Sequence, residues 1–490
     1  MQPQPADPTA GFVNRRKFLL STGCGFATLP LVHLLQRDGL LASGPANANP
    51  PGAVNANPLA PRPPHHRPRA KSVIFLFMFG GPSGIDLFDP KPTLERWHGR
   101  PMDHIDPADH LHNTPPVVMR SPFRFSRHGQ SGLEISECFP ELARCADDLC
   151  VIRSMHAENN NHRPAIFQLN TGSVLAGRPS MGAWVSYGLG SENENLPAFV
   201  VLLDRLGAPF GGALNWSSGF MPAAYQGTTL RTIGEPIADL SPPAGLRPEQ
   251  QRARLDLLAA LNERHRQANP AESGLAARIA SYELAYRMQS HAPEAVDLNR
   301  EPAPIRQLYG LDNPVTEPFG RQCLLARRLV ERGVRFVQLY SGGGNANGTT
   351  GWDAHANLRE NHTVMCNRVD RPIAGLLTDL KSRGLLDETL VVWGGEFGRL
   401  PVVQGGQGRD HNPHGFTMWL AGGGVKGGTV YGATDEFGYR IAENPVSIPD
   451  LHATMLHLLG LDHTRLTYRF MGRDFRLTDV SGEVIEPILA

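Results

Sequence analysis

Short apolar runs alternate with longer segments of mixed polarity from residue 71 to the end of the chain. Six of these runs predict buried strands, at residues 73–79, 151–152, 198–203, 334–340, 389–393 and 416–421. Helical patterns, two of them largely polar, lie between and beyond them, at residues 141–149, 247–269, 276–290, 321–331, 359–383 and 450–459. Strands that alternate with helices in this way predict an α/β fold with a mostly parallel sheet.

The chain has 490 residues, which is long enough for a large α/β core. We interpret residues 71–490 as one large domain in which the region 205–315 forms an insertion or cap. Residues 49–70 are rich in Pro, Asn and Ala and have no apolar periodicity. That composition predicts an extended linker in front of the domain.

Residues 1–48 have the pattern of an export signal. Arg15 and Arg16 stand directly before a weakly apolar stretch, residues 18–35, and small residues follow at 46–48 as a signal peptidase requires. The pattern is similar to a twin-arginine signal, which predicts a periplasmic or extracellular protein. Because Pro30 and His33 interrupt the apolar stretch, we expect no stable transmembrane anchor.

Charge and cysteine usage exclude some classes of function. The chain has 47 basic and 47 acidic residues, so it has no overall positive field that could hold nucleic acid. Its six cysteines include no C-x-x-C pair, which argues against a zinc ribbon or a thioredoxin-type redox site.

Carboxylate and imidazole side chains, with one amide, lie at the ends of several predicted strands. They are Asp86 after the first strand, Asn161 and His162 after the second, Asp353 and His355 after the fourth, Glu396 after the fifth, and Asp410, His411 and His414 before the sixth. In an open α/β sheet, ligands bind beyond the carboxyl ends of the strands. Carboxylate and imidazole groups are also the ligands of divalent cations, so this pattern predicts a metal site at that edge.

Several motifs resemble the superfamily of alkaline phosphatases and sulfatases. Residues 369–392 are similar to the sulfatase helix and strand that precede an Asp-His-Gly metal motif, and residues 448–460 resemble a helix near the C-terminus of that superfamily. Motifs at residues 79–83, 89–92, 351–355 and 408–411 resemble more closely a bacterial family of exported proteins of uncharacterised function. The resemblance implies an alkaline-phosphatase-like three-layer α/β sandwich, with a large, mostly parallel central sheet and an inserted cap region.

The superfamily resemblance implies hydrolysis of phosphate or sulfate esters with one or two metal ions that hold the anionic oxygens. Three positions depart from the superfamily pattern. Gly80 and Gly81 stand where an Asp usually ends the first strand, and His162 stands where a Cys, Ser or Thr nucleophile is usual. Phe397 stands where the His of Asp-His-Gly would be a metal ligand.

The remaining residues give a specific hypothesis for the site. The predicted ligands of one divalent ion (zinc, calcium or magnesium), rather than two, are Asp353, His355, His411 and His414. The predicted catalytic residues are His162, as a nucleophile or as a hydrogen-bond donor to an oxyanion, and Glu396, as a ligand or a base. The predicted substrate-binding residues are Asp86, Asn161, Arg399, Arg409 and Asp410.

Two functions stay open on the residues alone. The first is an exported metal-dependent hydrolase of sulfate or phosphate esters, with an anionic ester on a polysaccharide or a lipid headgroup as the expected substrate. The second is a catalytically inactive domain that serves as a binding or scaffold protein, which the departures at residues 80, 162 and 397 favour. The two hypotheses differ in whether the predicted ligands and Glu396 meet within a few ångströms.

Overall fold

A computed structural model describes residues 57–109, 116–231, 245, 247–268, 273–344 and 350–490 of the chain. The predicted export signal, residues 1–48, lies outside the described residues. Among the helices that are described, none is long and apolar enough to cross a membrane.

The strands vary from two to eight residues. They are β1 (Ser72–Met78), β2 (Phe125–His128), β3 (Leu133–Ser136), β4 (Leu149–His156), β5 (Phe199–Leu202), β6 (Thr228–Leu230), β7 (Phe336–Ser341), β8 (Thr389–Gly394), β9 (Gly398–Arg399), β10 (His411–Asn412), β11 (Phe416–Ala421), β12 (Thr429–Tyr431), β13 (Ala433–Thr434), β14 (Ile441–Glu443), β15 (Val446–Ser447), β16 (Tyr468–Phe470) and β17 (Arg473–Phe475).

The α-helices are α1 (Gly84–Leu87), α2 (Pro92–Trp97), α3 (His162–Thr171), α4 (Met181–Leu189), α5 (Pro248–Ala268), α6 (Ser273–Val296), α7 (Ala303–Leu308), α8 (Glu317–Glu331), α9 (Leu358–Ser382) and α10 (Ile448–Leu458). Short 3-10 helices are found at Leu142–Asp148, Gly212–Trp216, Ala223–Tyr225, Leu298–Arg300, Leu386–Glu388 and Glu486–Ile488.

Nine strands form the central sheet, in the order β12-β4-β11-β8-β1-β7-β5-β6, with β15 also paired to β4. All neighbouring strands run parallel except β11, which is antiparallel to both β4 and β8. The six predicted buried strands correspond to β1, β4, β5, β7, β8 and β11. The predicted α/β fold with a large, mostly parallel sheet is therefore confirmed.

Helices cover both faces of the sheet because its central strands are apolar on both sides. Along β1, Ile74 and Leu76 belong to one core with residues of α8 and α9, whereas Phe75 and Phe77 belong to a second core with residues of α3, α4 and α10. Alternating side chains thus pack in two separate cores above and below the sheet. This is the three-layer sandwich that the resemblance implied.

Three further regions bear on the predicted helices and the predicted domain organisation. The segment 141–149, predicted as a helix, contains the 3-10 helix Leu142–Asp148.

Residues 57–70, the described part of the predicted linker, lie against the domain: the N–H of His65 donates to the carbonyl of Gly460 at 2.8 Å and that of Arg62 to Leu189 at 2.9 Å. Within the region 205–315, α5 and α6 are joined by Arg252, whose guanidinium donates to Glu283 at 2.7 Å.

Candidate metal centre

Four side chains meet beyond the carboxyl ends of the central strands. His162 begins α3, Asp353 and His355 follow β7, and His411 begins β10. One ligand atom from each of these residues lies within 4.8 Å of those of the other three. We call this group the His/Asp cluster. Three of its members, Asp353, His355 and His411, are among the metal ligands that the sequence predicts.

Asp353 lies at the middle of the His/Asp cluster. Its Oδ1 is 2.9 Å from Nε2 of His355 and 3.0 Å from Nε2 of His411, and its Oδ2 is 3.2 Å from Nε2 of His162. The guanidinium of Arg399 donates to the same Oδ1 at 2.7 Å. Burial alone would raise the pKa of Asp353, but the charge of Arg399 and the three imidazoles hold it far below its usual range. The carboxylate is therefore ionised.

His411 presents an unprotonated nitrogen to that carboxylate. Its Nδ1–H donates to the carbonyl oxygen of Asn160 at 2.6 Å, and a carbonyl can only accept, so the proton of the neutral ring lies on Nδ1. Burial, together with the positive charges of Arg399 and His162, lowers the pKa of His411 to about 3, which keeps the ring neutral. Two acceptors, Nε2 of His411 and Oδ1 of Asp353, consequently face each other at 3.0 Å. A cation bound by both atoms would make this contact attractive.

The other two imidazoles are oriented by oxygen atoms in the same way. Nδ1 of His162 lies 2.7 Å from Oε1 of Glu396, and Nδ1 of His355 is hydrogen-bonded to Oε1 of Gln404. All three rings thus direct Nε2 inward and bind an oxygen with Nδ1. Histidines that ligate metals have this arrangement, because the outer hydrogen bond fixes the tautomer and the ring orientation.

His162 lies between two carboxylates. Burial would lower its pKa, but the contact with Asp353, the hydrogen bond to Glu396 and the charges of these groups raise it to about 9. Near neutral pH the imidazolium form therefore donates through Nδ1 to Glu396, while Nε2 lies 3.2 Å from Oδ2 of Asp353 without hydrogen-bond geometry. A divalent cation that binds the cluster has to displace the imidazolium proton from Nε2.

Glu396 joins His162 to the end of the first strand. The Glu396 side chain is fully buried, and its two carboxylate oxygens accept from the N–H of Gly80 at 3.0 and 3.3 Å. Gly80 has a φ of +118°, and a Cβ there would lie 2.5 Å from the backbone nitrogen of Asp353. A Cβ on Gly81 would lie 2.7 Å from the Phe397 ring. The space that an Asp would need at the end of β1 is thus filled by the chain around Asp353 and by Phe397.

Arg399, Arg409 and Asp86, all predicted as substrate-binding residues, are buried beside the His/Asp cluster. Besides Asp353, Arg399 donates to the carbonyl oxygens of Gly81 at 2.9 Å and of Arg409 at 3.1 Å. Arg409 forms a bidentate ion pair with Asp86, at 2.8 and 3.1 Å. These contacts hold the loops of the site together and leave both guanidinium groups facing protein atoms.

His414, a predicted metal ligand, is not brought into the His/Asp cluster. Its Nε2 lies 2.9 Å from Oδ1 of Asp109, whose Oδ2 accepts from the Tyr439 hydroxyl at 2.5 Å. His162, predicted as a catalytic residue, occupies the fourth position instead. The sequence alone does not show which of His162 and His414 belongs to the cluster, because both follow or precede strands at the same edge of the sheet.

Two predicted substrate-binding residues lie at the rim of the cluster. Asn161 caps α3 by accepting from the N–H of Arg163 at 3.2 Å, and Asp410 lies 3.8 Å from Nδ1 of His355. The supporting acceptors Asn160 and Gln404 were not predicted. Asn160 acts through its backbone carbonyl, for which the sequence carries no signal. Gln404 precedes Gly405-Gly406, a turn signal that could have placed it in a loop near the site.

The cluster is open to solvent on one side. The side chain of His355 is 36% exposed, whereas those of His162 and His411 are 11% and 13% exposed. Aromatic rings form the inner wall: the ring centre of His162 lies 5.0 Å from that of Phe397 and 5.8 Å from that of Phe210. A ligand can therefore approach the cluster past His355, while the apolar wall keeps water from the opposite side and strengthens the electrostatic interactions.

Solved structures with some similarity to this one belong to several enzymes. They include the PsFucS1 sulfatase from Pseudoalteromonas sp. (13% identity, 81% of this chain and 68% of that one, TM-score 0.35). A phosphonate monoester hydrolase from Silicibacter pomeroyi has 12% identity over 85% of this chain and 76% of its own, with a TM-score of 0.34. The alkaline phosphatase from the Antarctic bacterium TAB5 has 10% identity over 80% and 98%, with a TM-score of 0.30.

The fold and the cluster define an α/β protein with a candidate metal centre of three histidines and one aspartate. No curated protein matches the sequence. The family described as "Protein of unknown function (DUF1501)" matches residues 70–489, so the chain belongs to that family. This agrees with the family of uncharacterised function that the motifs resemble.

Proposed function

We propose that this protein is a metal-dependent hydrolase of sulfate or phosphate esters, with His162, Asp353, His355 and His411 as the ligands of one divalent cation. The contact between the lone pair on Nε2 of His411 and Oδ1 of Asp353, at 3.0 Å, carries the proposal. A cation held by His411 and Asp353 would replace the repulsion between their lone pairs with attraction. Three imidazoles and one carboxylate suit zinc better than calcium or magnesium, which prefer oxygen ligands.

A divalent cation would make the site suitable for an anionic substrate. Asp353, Glu396 and Asp410 contribute −3 and Arg399 contributes +1, so a cation of charge +2 would bring the net charge of the site from −2 to 0. A cation held there would supply Lewis acidity and positive charge at the oxygens of the ester. The aromatic wall around His162 limits water, so this charge acts at full strength on a substrate that enters past His355.

His162 is assigned as a ligand and not as the nucleophile. Its Nδ1 is 2.7 Å from Glu396 and its Nε2 is directed at Asp353, so neither nitrogen is free to attack an ester. The nucleophile in this proposal is a water molecule that enters from the exposed side at His355. Glu396 keeps His162 oriented and does not touch the substrate.

The proposal places the reaction outside the cytoplasm. It is supported by Arg15 and Arg16 in front of the apolar stretch 18–35 and by the small residues at 46–48. Replacing both arginines with lysine should leave the protein in the cytoplasm, as cell fractionation and immunoblotting would show. Export of the Arg15→Lys/Arg16→Lys variant at the normal level would rule out the twin-arginine route.

Metal content and turnover test the proposal together. Protein purified without chelator is analysed by mass spectrometry for bound metals and assayed on aryl sulfate, phosphate monoester and phosphodiester substrates. His411→Ala should lose the metal and reduce turnover at least about 100-fold. His414→Ala is the matched control, since it removes an imidazole three residues away that pairs with Asp109. The His414→Ala variant should keep both the bound metal and the turnover of wild type.

Two other outcomes would contradict parts of the proposal. Equal metal content in wild type and His411→Ala would refute the ligand assignment. A stoichiometric metal that is lost in His411→Ala, without turnover of any ester, would instead favour the alternative of a binding or scaffold protein.

A further inference from the structure

A second surface, formed by loops after α3 and around the β16–β17 hairpin, carries strongly exposed apolar side chains. Among the described residues, the large apolar side chains with the highest exposure are Val480 at 84%, Met471 at 81% and Leu175 at 71%. Leu175 follows α3, Met471 lies in the turn between β16 and β17, and Val480 follows β17. Single exposed apolar residues are common on protein surfaces, but three that share one face call for an explanation.

Contacts among the neighbouring residues place these three side chains on one face. Asp479, adjacent to Val480, forms ion pairs with Arg178 at 3.5 Å and with Arg473. The guanidinium groups of Arg178 and Arg473 each lie 4.8 Å from the ring centre of Phe475. Arg178 ends the loop that carries Leu175, and Arg473 follows the turn that carries Met471. The three loops are therefore held together at their bases while their apolar tips project outward.

Met471 is an unfavourable choice for the stability of its own turn. Met471 and Gly472 form a two-residue hairpin turn with φ of 46° and 83°. Such turns favour Asn, Asp or Gly at both positions, because other residues are strained at positive φ. Because Met471 is 81% exposed, packing of its side chain contributes little free energy to offset this strain. The stability of the turn therefore does not account for a methionine at this position.

The surface around the three side chains is basic. Segments 172–178 and 465–480 contain five arginines and two aspartates, a net charge of +3, in a chain whose formal net charge is zero. Arginine keeps its guanidinium at a polar boundary while its aliphatic stem covers apolar surface. Aromatic rings lie beneath the tips: Phe220 stacks on Phe470 at 4.9 Å between ring centres. We call these two segments the basic apolar face.

We propose that the basic apolar face docks on an anionic phospholipid bilayer, with Leu175, Met471 and Val480 inserted at the headgroup boundary and the arginines at the lipid phosphates. Protruding apolar tips enter a lipid surface without needing shaped pockets, whereas a protein partner would have to supply three of them. The positive charge matches anionic headgroups. This inference is independent of the proposed hydrolase activity.

Docking would also set the distance of the metal centre from the bilayer. Helix α3 begins at His162 and ends at Thr171, just before the loop that carries Leu175. A ten-residue helix is about 15 Å long. The His/Asp cluster would thus be held roughly one such helix length from the docking loop.

Vesicle binding tests the proposal without any assay of turnover. Residues 57–490 form one compact unit, so a chain that starts at residue 57 is used, without the apolar stretch 18–35. It is sedimented with vesicles of equal parts phosphatidylglycerol and phosphatidylethanolamine, and with phosphatidylcholine vesicles. We expect binding to the anionic vesicles, weakening with salt, and at least about tenfold weaker binding by Leu175→Ser/Met471→Ser/Val480→Ser. Leu257→Ser/Leu261→Ser, which changes exposed leucines on α5, is the matched control and should bind like wild type.

A fluorescent reporter separates insertion from charge attraction. Met471→Cys, labelled with an environment-sensitive dye, should shift its emission to the blue with anionic vesicles. Absence of wild-type binding, or equal binding by the triple serine variant, would overturn the proposal. Self-association of wild type in sedimentation velocity that the triple variant loses would also overturn it, since the face would then bind a second copy of the chain.

Discussion

At residue 396, a single substitution can remove the negative charge of the side chain and leave its shape almost unchanged. Glu396→Gln keeps an oxygen for the N–H of Gly80 but removes the negative charge beside Nδ1 of His162. Because outer hydrogen bonds tune the basicity of metal-binding histidines, we expect a metal dissociation constant about 10- to 100-fold higher. Competition with a chromophoric chelator measures it. Glu443→Gln, at an exposed carboxylate, should have no effect, and an unchanged constant in Glu396→Gln would contradict the assigned role.

Substitution of Asp86 tests whether its ion pair with Arg409 stabilises the fold or whether Asp86 binds the substrate. Both side chains are fully buried, and the pair is bidentate. Asp86→Asn leaves the Arg409 charge without its partner, so we expect the free energy of unfolding to fall by about 3–5 kcal/mol. Asp474→Asn, in the exposed pair with Arg469 at 3.1 Å, should cost less than about 1 kcal/mol. Urea denaturation compares the two.

A substrate-binding role for Asp86 would give a different experimental result. If Asp86 bound the substrate, as the sequence indicated, Asp86→Asn would raise KM for an ester while the free energy of unfolding stayed close to that of wild type. That result would contradict the structural role assigned here to the buried pair.

Single residues also mark the limit of what the sequence could predict about the site. Asp353 and His355 follow β7, so the order of strands placed them at the carboxyl edge of the sheet. His411 precedes β11 and reaches the same edge because β11 runs antiparallel to β4 and β8, a direction that the sequence did not predict. Choosing between His162 and His414 needed the rotamers and the partners of both rings. His414 has a carboxylate partner of its own in Asp109, and the sequence separation between them gives no hint of this contact.

At the scale of elements, the turn after β1 is constrained by the loop that carries Asp353. Gly80→Ala would add a Cβ 2.5 Å from the backbone nitrogen of Asp353, at a φ of +118°. We expect a loss of at least about 3 kcal/mol in the free energy of unfolding, from overpacking and backbone strain together. Gly99→Ala is the control, since its φ of +80° is similar and nothing lies within 4 Å. It should lose only about 1–2 kcal/mol. Equal losses in the two variants would show that close packing at Gly80 adds nothing.

Elements buried on both faces could be predicted from the sequence, whereas short ones could not. The six predicted strands all lie in the central sheet because most of their residues are apolar, and the polar exceptions, such as Arg335, Gln338 and Thr417, are themselves buried. Helix α3 was not predicted, although it positions His162. Its residues include His, Arg, Asn and Gln among the apolar ones, so its helical periodicity is weak. Its Asn161 cap and the left-handed Gly172 at its end were the available signals.

At the scale of the whole molecule, burial changes the pKa of two histidines that lie outside the His/Asp cluster. His452 on α10 is fully buried, and its Nε2–H donates to the carbonyl of Leu169 at 2.9 Å. Burial lowers the pKa of His452 to about 4, whereas an unfolded histidine has a pKa near 6.5. His362, whose Nε2 accepts from the N–H of Ser83, is held neutral by burial in the same way, with a pKa of about 3.

These buried histidines make the stability of the fold fall in acid. Between pH 6.5 and about 4, the unfolded chain binds a proton at residue 452 that the folded chain does not bind, so the free energy of unfolding decreases as the pH falls. His452→Gln keeps a donor for Leu169 and removes this titration. The stability advantage of wild type over His452→Gln should therefore shrink by up to about 3 kcal/mol from pH 7 to pH 4. Urea denaturation across this range measures it, with His104→Gln, at an exposed position, as the control. A wild-type advantage that stays constant with pH would mean that His452 is protonated inside the fold, which its complete burial opposes.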